Sequence, residues 1–173
     1  TGFDRYDFAI GGGLRRGTVN VIGARPKTGK TLFAENVGIH IAKNLGIPVL
    51  NLDTEMTKKD HQDRGIAMLT EVAINDIETG SFSANSYKNQ KIRDAAKAVK
   101  DIPYFHKSIG GKPFEDQLSI MRRWLAKEVG INKQGKAKDC VIVYDYLKIM
   151  ESSEISKDMK EYQLLGFLMT SLH

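Results

Sequence analysis

A short loop between a strand pattern and a helix pattern constrains this chain more than any other feature. Residues 18–23 form an apolar run that predicts a strand, and a helical pattern begins at Leu32. Between them lies Ala24-Arg25-Pro26-Lys27-Thr28-Gly29-Lys30-Thr31. Its last three residues match the end of the glycine-rich loop that cradles phosphates. The motif asks for glycine where Ala24 stands, but the backbone N–H groups and the helix start that hold phosphates do not depend on that glycine.

Each polar residue of the loop has a role in binding a nucleoside triphosphate. Lys30 supplies a positive charge near the β- and γ-phosphates, and the Thr31 hydroxyl is a ligand for Mg²⁺. Pro26 removes one N–H donor and stiffens the loop. A plain turn before a helix would leave Lys30 unexplained. We therefore predict an ATP and Mg²⁺ site whose nucleotide-binding residues are Arg25, Pro26, Lys27, Thr28, Gly29, Lys30 and Thr31.

The bulk composition predicts one ordinary globular domain over residues 1–173. The chain has 41% hydrophobic and 27% charged residues, which is typical of such domains. No apolar run approaches the roughly 20 residues of a membrane span, so we expect no membrane association. The single cysteine, Cys140, is interpreted as a small core residue. A net charge of +5 permits contact with nucleic acid without demonstrating it.

Strand and helix patterns alternate along the chain. After the strand at 18–23 we predict strands that begin at Pro48, Pro103 and Cys140, with helices at about 30–45, 58–72, 86–99, from Pro113 to Val129, and from Asp158 onward. This alternation predicts an α/β fold, a mostly parallel sheet with helices on both faces. Ligands of such sheets bind at the carboxyl ends of the strands.

Carboxylates are expected at that edge of the sheet. Asp145 ends the apolar run 140–144 and is the residue we expect to bind Mg²⁺ together with Thr31. An earlier strand pattern, the one that begins at Pro48, ends in Asp53-Thr54-Glu55. Either acid is placed to polarise an attacking water, and position alone does not choose between Asp53 and Glu55. A phosphate loop combined with these carboxylates predicts ATP hydrolysis.

Several segments resemble the ATPase domain of DnaB-type replicative DNA helicases, which are RecA-like P-loop proteins. The loop at 24–31 resembles that family's Ala-Arg-Pro-Ser-x-Gly-Lys-Thr, including its unusual first alanine. Residues 52–56 resemble its Ser-Leu-Glu-Met, and residues 143–150 its Ile-Asp-Tyr-Leu-Gln-Leu-Met. Residues 78–80 and 102–105 are similar to its Arg-Thr-Gly and Leu-Pro-Ile-Tyr. The resemblance covers the whole chain in order and selects Glu55, with Lys30, as the catalytic pair.

The resemblance also implies a quaternary structure and a DNA-binding site. It implies a homo-oligomer, a hexameric ring, with ATP bound between subunits and single-stranded DNA gripped in the central channel. One channel loop would fall at about 150–157, where Ser152, Ser153 and Lys157 are available for contacts with DNA phosphates. A primase or a helicase loader is implied as a further partner, in the cytoplasm of a bacterium or a phage-infected cell.

Some positions depart from the family pattern. Lys27-Thr28 replaces Ser-Met, Tyr144 replaces Ile, and Asp53-Thr54 replaces Ser-Leu, which suggests a distant, phage-encoded member. In RecA-like proteins a further strand lies between the loop strand and the Asp145 strand, and an arginine from a later segment completes the neighbour's site. Neither follows here, so we expect a truncated ATPase domain whose isolated ATPase activity is weak. Because the chain begins at Thr1 without a start methionine, we also expect an amino-terminal domain before it.

Two other functions use the same nucleotide site. A RecA/RadA-type recombination ATPase pairs strands rather than unwinding them, but the pair Arg25-Pro26 and the run Asp145-Tyr146-Leu147 favour the helicase. A KaiC-like regulatory ATPase acts without DNA, and the opening Thr1-Gly2-Phe3-Asp4 is typical of it as well. Salt-dependent binding to single-stranded DNA would separate this last class from the others.

Overall fold

A computed structural model describes residues 1–146 of the chain, which form a small sheet covered by helices. The α-helices are α1 (Asp4–Ala9), α2 (Lys30–Leu45), α3 (Lys58–Thr70), α4 (Ile74–Thr79), α5 (Ser86–Ala98) and α6 (Phe114–Trp124). The strands are β1 (Val49–Asp53), β2 (Tyr104–Ser108) and β3 (Val141–Asp145). Short 3₁₀ segments cover Ser81–Ala84 and Val99–Asp101, and a π turn, Leu125–Val129, continues α6. Within the described part of the chain, none of the helices combines the length and the apolar character needed to cross a membrane.

The sheet is parallel, and its strand order puts β1 in the centre. The order is β2-β1-β3, and both neighbours of β1 run parallel to it. The register sets Asp53 opposite Asp145 on one side and Ser108 on the other. The carboxyl ends of all these strands therefore meet at one edge, as parallel βαβ connections require.

Local signals explain where the helices begin and end. Gly29, at the N-cap of α2, has φ +93°, a left-handed conformation that a glycine adopts without a steric penalty. At the start of α3, Thr57 and Asp60 form a capping box, which satisfies backbone N–H groups at that helix end. Acidic residues in the first turn of α6 and arginines in its last turn complement the helix dipole.

The alternation of β1 divides the core into two clusters on opposite faces of the sheet. Leu50 and Leu52 belong to a cluster completed by Ile109, Met121, Trp124 and Val129. Val49 belongs to the other cluster, with Val37, Ile41 and Ala42 of α2. Because side chains alternate along a strand, Asn51 and Asp53 lie on the same face as Val49. Two polar residues of the central strand are thus buried on the face that α2 covers.

The helix α2 approaches the sheet closely at Gly38. A Cβ atom at this position would lie 2.9 Å from Cε2 of Tyr104 and 3.4 Å from Cγ1 of Val49. The first distance is shorter than a carbon–carbon contact allows, so only glycine fits here without displacement of the Tyr104 ring.

The α/β fold with a parallel sheet and helices is confirmed, but one local prediction was wrong and two helices were missed. Residues 18–23 do not form a strand: they are exposed, with Val21 at 70% exposure, and no strand in the described residues pairs with them. A strand needs a partner for its backbone groups, and an apolar pattern alone does not provide one. Helices α1 and α4 were not predicted, and the helix expected from Asp158 lies outside the described residues.

Candidate functional site

The loop before α2 is folded as a tight turn that presents its backbone to solvent. The Thr28 hydroxyl donates to the Arg25 carbonyl at 2.6 Å, and the Thr28 N–H donates to the same oxygen at 3.3 Å. Lys27 has a positive φ of 63°, and the helix starts with the Phe33 N–H donating to the Gly29 carbonyl at 2.9 Å. The result is an exposed loop at a helix N-terminus, which is the geometry that binds anions.

Lys30 connects this loop to the end of β3. Its Nζ lies 3.0 Å from Oδ1 of Asp145 and 4.1 Å from the centre of the Tyr146 ring. The Asp145 side chain is only 8% exposed, so the lysine provides charge compensation for a buried carboxylate. Thr31 is the next residue of the helix. The structure therefore brings the loop and the strand-end acid to the same edge of the sheet.

An open cleft lies against the loop. It has a volume of about 400 Å³ and is lined by Gly23, Ala24, Thr28, Gly29 and Lys30, with Tyr6, Val21, Ile22 and Phe33 around them. Phe33 stacks on Phe3 at 5.2 Å and meets the edge of Tyr6 at 5.2 Å. Thus Tyr6 of α1, a helix that was not predicted, and Phe3 just before it place aromatic rings against Phe33 near the phosphate loop.

The two acids at the end of β1 have different environments. Asp53 is 2% exposed, and its Oδ1 accepts the N–H groups of Glu55 and Met56, each at 2.6 Å. Its Oδ2 lies 3.0 Å from Nε2 of His61. Glu55 is exposed, next to Thr54, whose N–H donates to the Asp145 carbonyl at 3.0 Å. Asp53 is engaged in holding the turn, and Glu55 is exposed just after the end of β1.

His61 joins three elements beneath this turn. Its Nδ1 lies 2.6 Å from Oε1 of Glu35 in α2, while its Nε2 faces Asp53 at the end of β1. Burial acts to lower the pKa of His61, but the hydrogen bonds to Asp53 and Glu35 outweigh it and raise the pKa to about 9. Burial likewise acts to raise the pKa of Asp53, and the bonds from His61 and the backbone outweigh it, so that its pKa is lowered.

A second histidine packs on the first. The rings of His61 and His106 have centroids 3.8 Å apart and planes tilted by 36°. Burial, followed by the nearby charge of His61, lowers the pKa of His106 to about 4. On the same sheet face the Asn51 amide donates to the Tyr104 hydroxyl at 2.9 Å, and burial raises the pKa of that hydroxyl.

Glu35, His61 and His106 were not identified from the sequence. Their association depends on contacts between α2, α3 and β2 that are distant along the chain. One signal was present: Glu35 shares a helix stripe with Gly38 and Ala42, both buried, which places a carboxylate on the buried face of α2.

Comparisons with known proteins identify the family of the chain. The family model described as "DnaB-like helicase C terminal domain" matches residues 1–169. The chain belongs to this family. Within it, replicative DNA helicases DnaB of Synechocystis sp. and Helicobacter pylori are 28% and 27% identical to the chain, over 84% and 93% of its length. The DnaB of Pasteurella multocida is 30% identical over 92% of the chain.

The chain corresponds to only part of these DnaB relatives. It spans 16%, 30% and 35% of the Synechocystis, H. pylori and P. multocida proteins. Among solved structures, one described as an ATPase domain superposes with a TM-score of 0.66 at 19% identity, over 83% of this chain and 47% of that one. This likeness supports the RecA-like fold of the DnaB-like domain described here.

The predicted site residues fall into three groups in the structure. Lys30 contacts Asp145 at the edge of the sheet, and the other residues of 25–31 precede or follow Lys30 directly in the loop and the first turn of α2. Glu55 lies just after the end of β1, the neighbouring strand. Ser152, Ser153 and Lys157 lie outside the described residues.

Proposed function

We propose that this DnaB-like domain is the ATP-hydrolysing motor of a replicative DNA helicase, which couples hydrolysis to translocation on single-stranded DNA and to duplex unwinding. The observation that carries the proposal is the 3.0 Å contact between Lys30 of the phosphate loop and Asp145 at the end of β3. Membership of the DnaB-like family supports the same conclusion.

Lys30 and the loop hold the triphosphate in this proposal. Backbone N–H groups at the start of α2 bind phosphate oxygens, with Arg25, Pro26, Lys27 and Thr28 shaping the turn before it. In the structure the Lys30 ammonium faces the Asp145 carboxylate. A triphosphate offers Lys30 a denser negative charge at the same helix end, so we expect Lys30 to leave Asp145 for the phosphates.

The residues at this edge fit a hard cation. The buried carboxylate of Asp145 and the hydroxyl of Thr31 are oxygen donors of the kind that Mg²⁺ prefers. Asp145 and Thr31 are therefore the residues that would hold Mg²⁺, which when bound neutralises charge on the phosphates. Asp145 needs such a partner as soon as Lys30 turns to the nucleotide, since a buried unpaired carboxylate is costly.

Glu55 is the residue that we propose to orient and polarise the attacking water. It is exposed at the strand end beside Asp145, and the turn that carries it is fixed by the two hydrogen bonds to Asp53. Asp53 itself is occupied by His61 and by these N–H groups. The carboxylate of Asp53 is thus a positioning group, and Glu55 is the catalytic one.

The remaining features of the proposal concern assembly. We propose a hexameric ring that binds single-stranded DNA in its channel, with contacts from Ser152, Ser153 and Lys157, and with a primase or a helicase loader as a partner. We propose that it works in the cytoplasm of a bacterium or a phage-infected cell.

The test uses the full-length protein that contains this domain. ATP turnover is measured with and without single-stranded DNA, strand displacement is measured on forked DNA, and a Lys30→Ala variant is the control. We expect DNA-stimulated turnover and unwinding in the wild type and neither in the variant.

Other outcomes would identify the other classes. Filament formation with strand pairing and no unwinding would identify a RecA/RadA-type recombination ATPase instead. Turnover without any salt-dependent binding to single-stranded DNA would identify a regulatory ATPase of the KaiC-like kind. No turnover under any of these conditions would contradict the proposal of an ATPase.

A further inference from the structure

The cluster beneath the Glu55 turn contains the donor atoms of a metal site. Asp53, His61 and His106 each offer one ligand atom, and these atoms lie within 4.8 Å of one another. They come from β1, α3 and β2, so the packing of the fold brings them together. Two imidazole nitrogens and a carboxylate oxygen form a ligand set that suits Zn²⁺ and similar transition ions better than Mg²⁺.

Two buried polar atoms at this cluster have no hydrogen-bond partner among residues 1–146. Oε2 of Glu35 and Nε2 of His106 are buried, and neither makes a hydrogen bond within residues 1–146. The Glu35 residue is 2% exposed, and its other oxygen contacts His61. An unsatisfied buried donor or acceptor costs about 1–3 kcal/mol, so such atoms call for an explanation. A cation bound at this cluster would take one nitrogen of the His106 ring as a ligand and would stabilise the charge on Glu35.

The cluster has a route to solvent. A cleft of about 410 Å³ is lined by Glu35, His61 and His106, together with residues of α3 and α5. It is separate from the cleft at the phosphate loop, which is lined by different residues. An ion can therefore reach the histidines without passing through the nucleotide site.

We propose that Asp53, His61 and His106 bind a divalent transition-metal ion of the Zn²⁺ class, with the Glu35 carboxylate beside it. The ion takes the place of the proton between Nε2 of His61 and Oδ2 of Asp53, and that proton leaves to solvent. Because Oδ1 of Asp53 holds the N–H groups of Glu55 and Met56, the ion fixes the turn that carries Glu55. The metal site lies outside the nucleotide cleft, and this proposal does not rest on the helicase proposal.

The experiment is a Co²⁺ titration of the intact, untagged protein without nucleotide, followed by displacement with Zn²⁺. Cobalt in a site of low coordination number gives visible d–d absorption. We expect one Co²⁺ per chain, displaced by an equivalent of Zn²⁺. In the His106→Phe variant an aromatic ring still packs against His61, but it has no ligand atom. We therefore expect the affinity of this variant for Co²⁺ to fall at least about 10-fold. The matched His40→Phe variant, which alters a histidine of α2 outside the cluster, binds like the wild type.

Measurements on the wild type alone make the test independent of the folding of the variants. On addition of Zn²⁺ we expect the imidazole NMR signals of His61 and His106 to shift together, while those of His40 stay unchanged. Equal affinities of His106→Phe and the wild type, equal loss in His40→Phe, or no cobalt absorption in the wild type would each overturn the proposal. These measurements are made without nucleotide, so they test metal binding separately from ATP turnover.

Discussion

The phosphate loop and the buried histidine cluster flank the same helix, yet they are built in opposite ways. Residues 21–29 are exposed, and their turn is held by few internal bonds, mainly those from Thr28 to the Arg25 carbonyl. The Glu35–His61–Asp53 chain is buried and hydrogen-bonded through both imidazole nitrogens. The loop leaves its backbone groups available to a ligand, whereas the cluster ties α2, α3 and β1 together. Changes in the loop should affect activity, and changes in the cluster should affect stability.

The largest effect is expected from Lys30→Ala in the full-length protein. Loss of the ammonium removes charge stabilisation from the phosphates, so ATP turnover should fall at least about 1,000-fold. Nucleotide binding, followed by fluorescence of a labelled ATP analogue, should weaken in parallel. Unchanged turnover would show that the Lys30 ammonium does not stabilise the phosphates.

The next contrast is between Glu55→Gln and Asp53→Asn. We expect Glu55→Gln to keep nucleotide binding and the melting temperature but to lose turnover about 100- to 1,000-fold, because only the base is removed. Asp53→Asn should lower the melting temperature as well, since it weakens the bond to His61. Full turnover in Glu55→Gln together with a stable, inactive Asp53→Asn would reverse the two roles.

Removal of the central imidazole should mainly destabilise the fold. In His61→Leu the carboxylates of Glu35 and Asp53 remain buried without their partner, which costs about 3–5 kcal/mol of unfolding free energy. Urea unfolding of the wild type and the variant measures this difference. His40→Leu, which alters a half-buried histidine of α2 outside the cluster, is the control. A loss below about 1 kcal/mol in His61→Leu would mean that the cluster does not hold these elements together.

The smallest loss of stability is expected when the hydrogen bond between Asn51 and Tyr104 is removed, since both of its partners are uncharged. Tyr104→Phe removes the hydroxyl that accepts from the Asn51 amide but keeps the ring against Gly38. A net loss of about 1 kcal/mol is typical of a neutral hydrogen bond. Chemical denaturation measures it, and a loss as large as that of His61→Leu would show that charge is not what distinguishes the cluster.

Local signals were enough to predict some parts of the molecule and not others. The bounds of α2 were predicted correctly, because a phosphate-loop glycine precedes Lys30 and Gly46 follows Leu45. The strand at 18–23 was predicted from an equally clear apolar pattern, and residues 18–23 are not a strand, because a strand also needs a neighbour to pair with. The order of the patterns was enough to predict the parallel sheet.

Some residues of the candidate site could likewise be predicted from the sequence, and others could not. The loop and Asp145 follow from a motif and from the rule that parallel strands end at one edge. The choice between Asp53 and Glu55 could not be made from position, and the structure adds that Asp53 is already bonded to His61. His106 could not be found from sequence, since the ring on which it packs belongs to His61, in a helix distant along the chain.

The bare Cα of Gly38 has a mechanical consequence for the far end of its helix. Because Gly38 has no Cβ atom, the backbone of α2 packs directly against the Tyr104 ring at this residue. A methyl group there would raise α2 from the strands, and the first turn, where Lys30 meets Asp145, would be tilted with it. We therefore expect the distance between the Lys30 ammonium and the Asp145 carboxylate to depend on a glycine about two turns away in the helix.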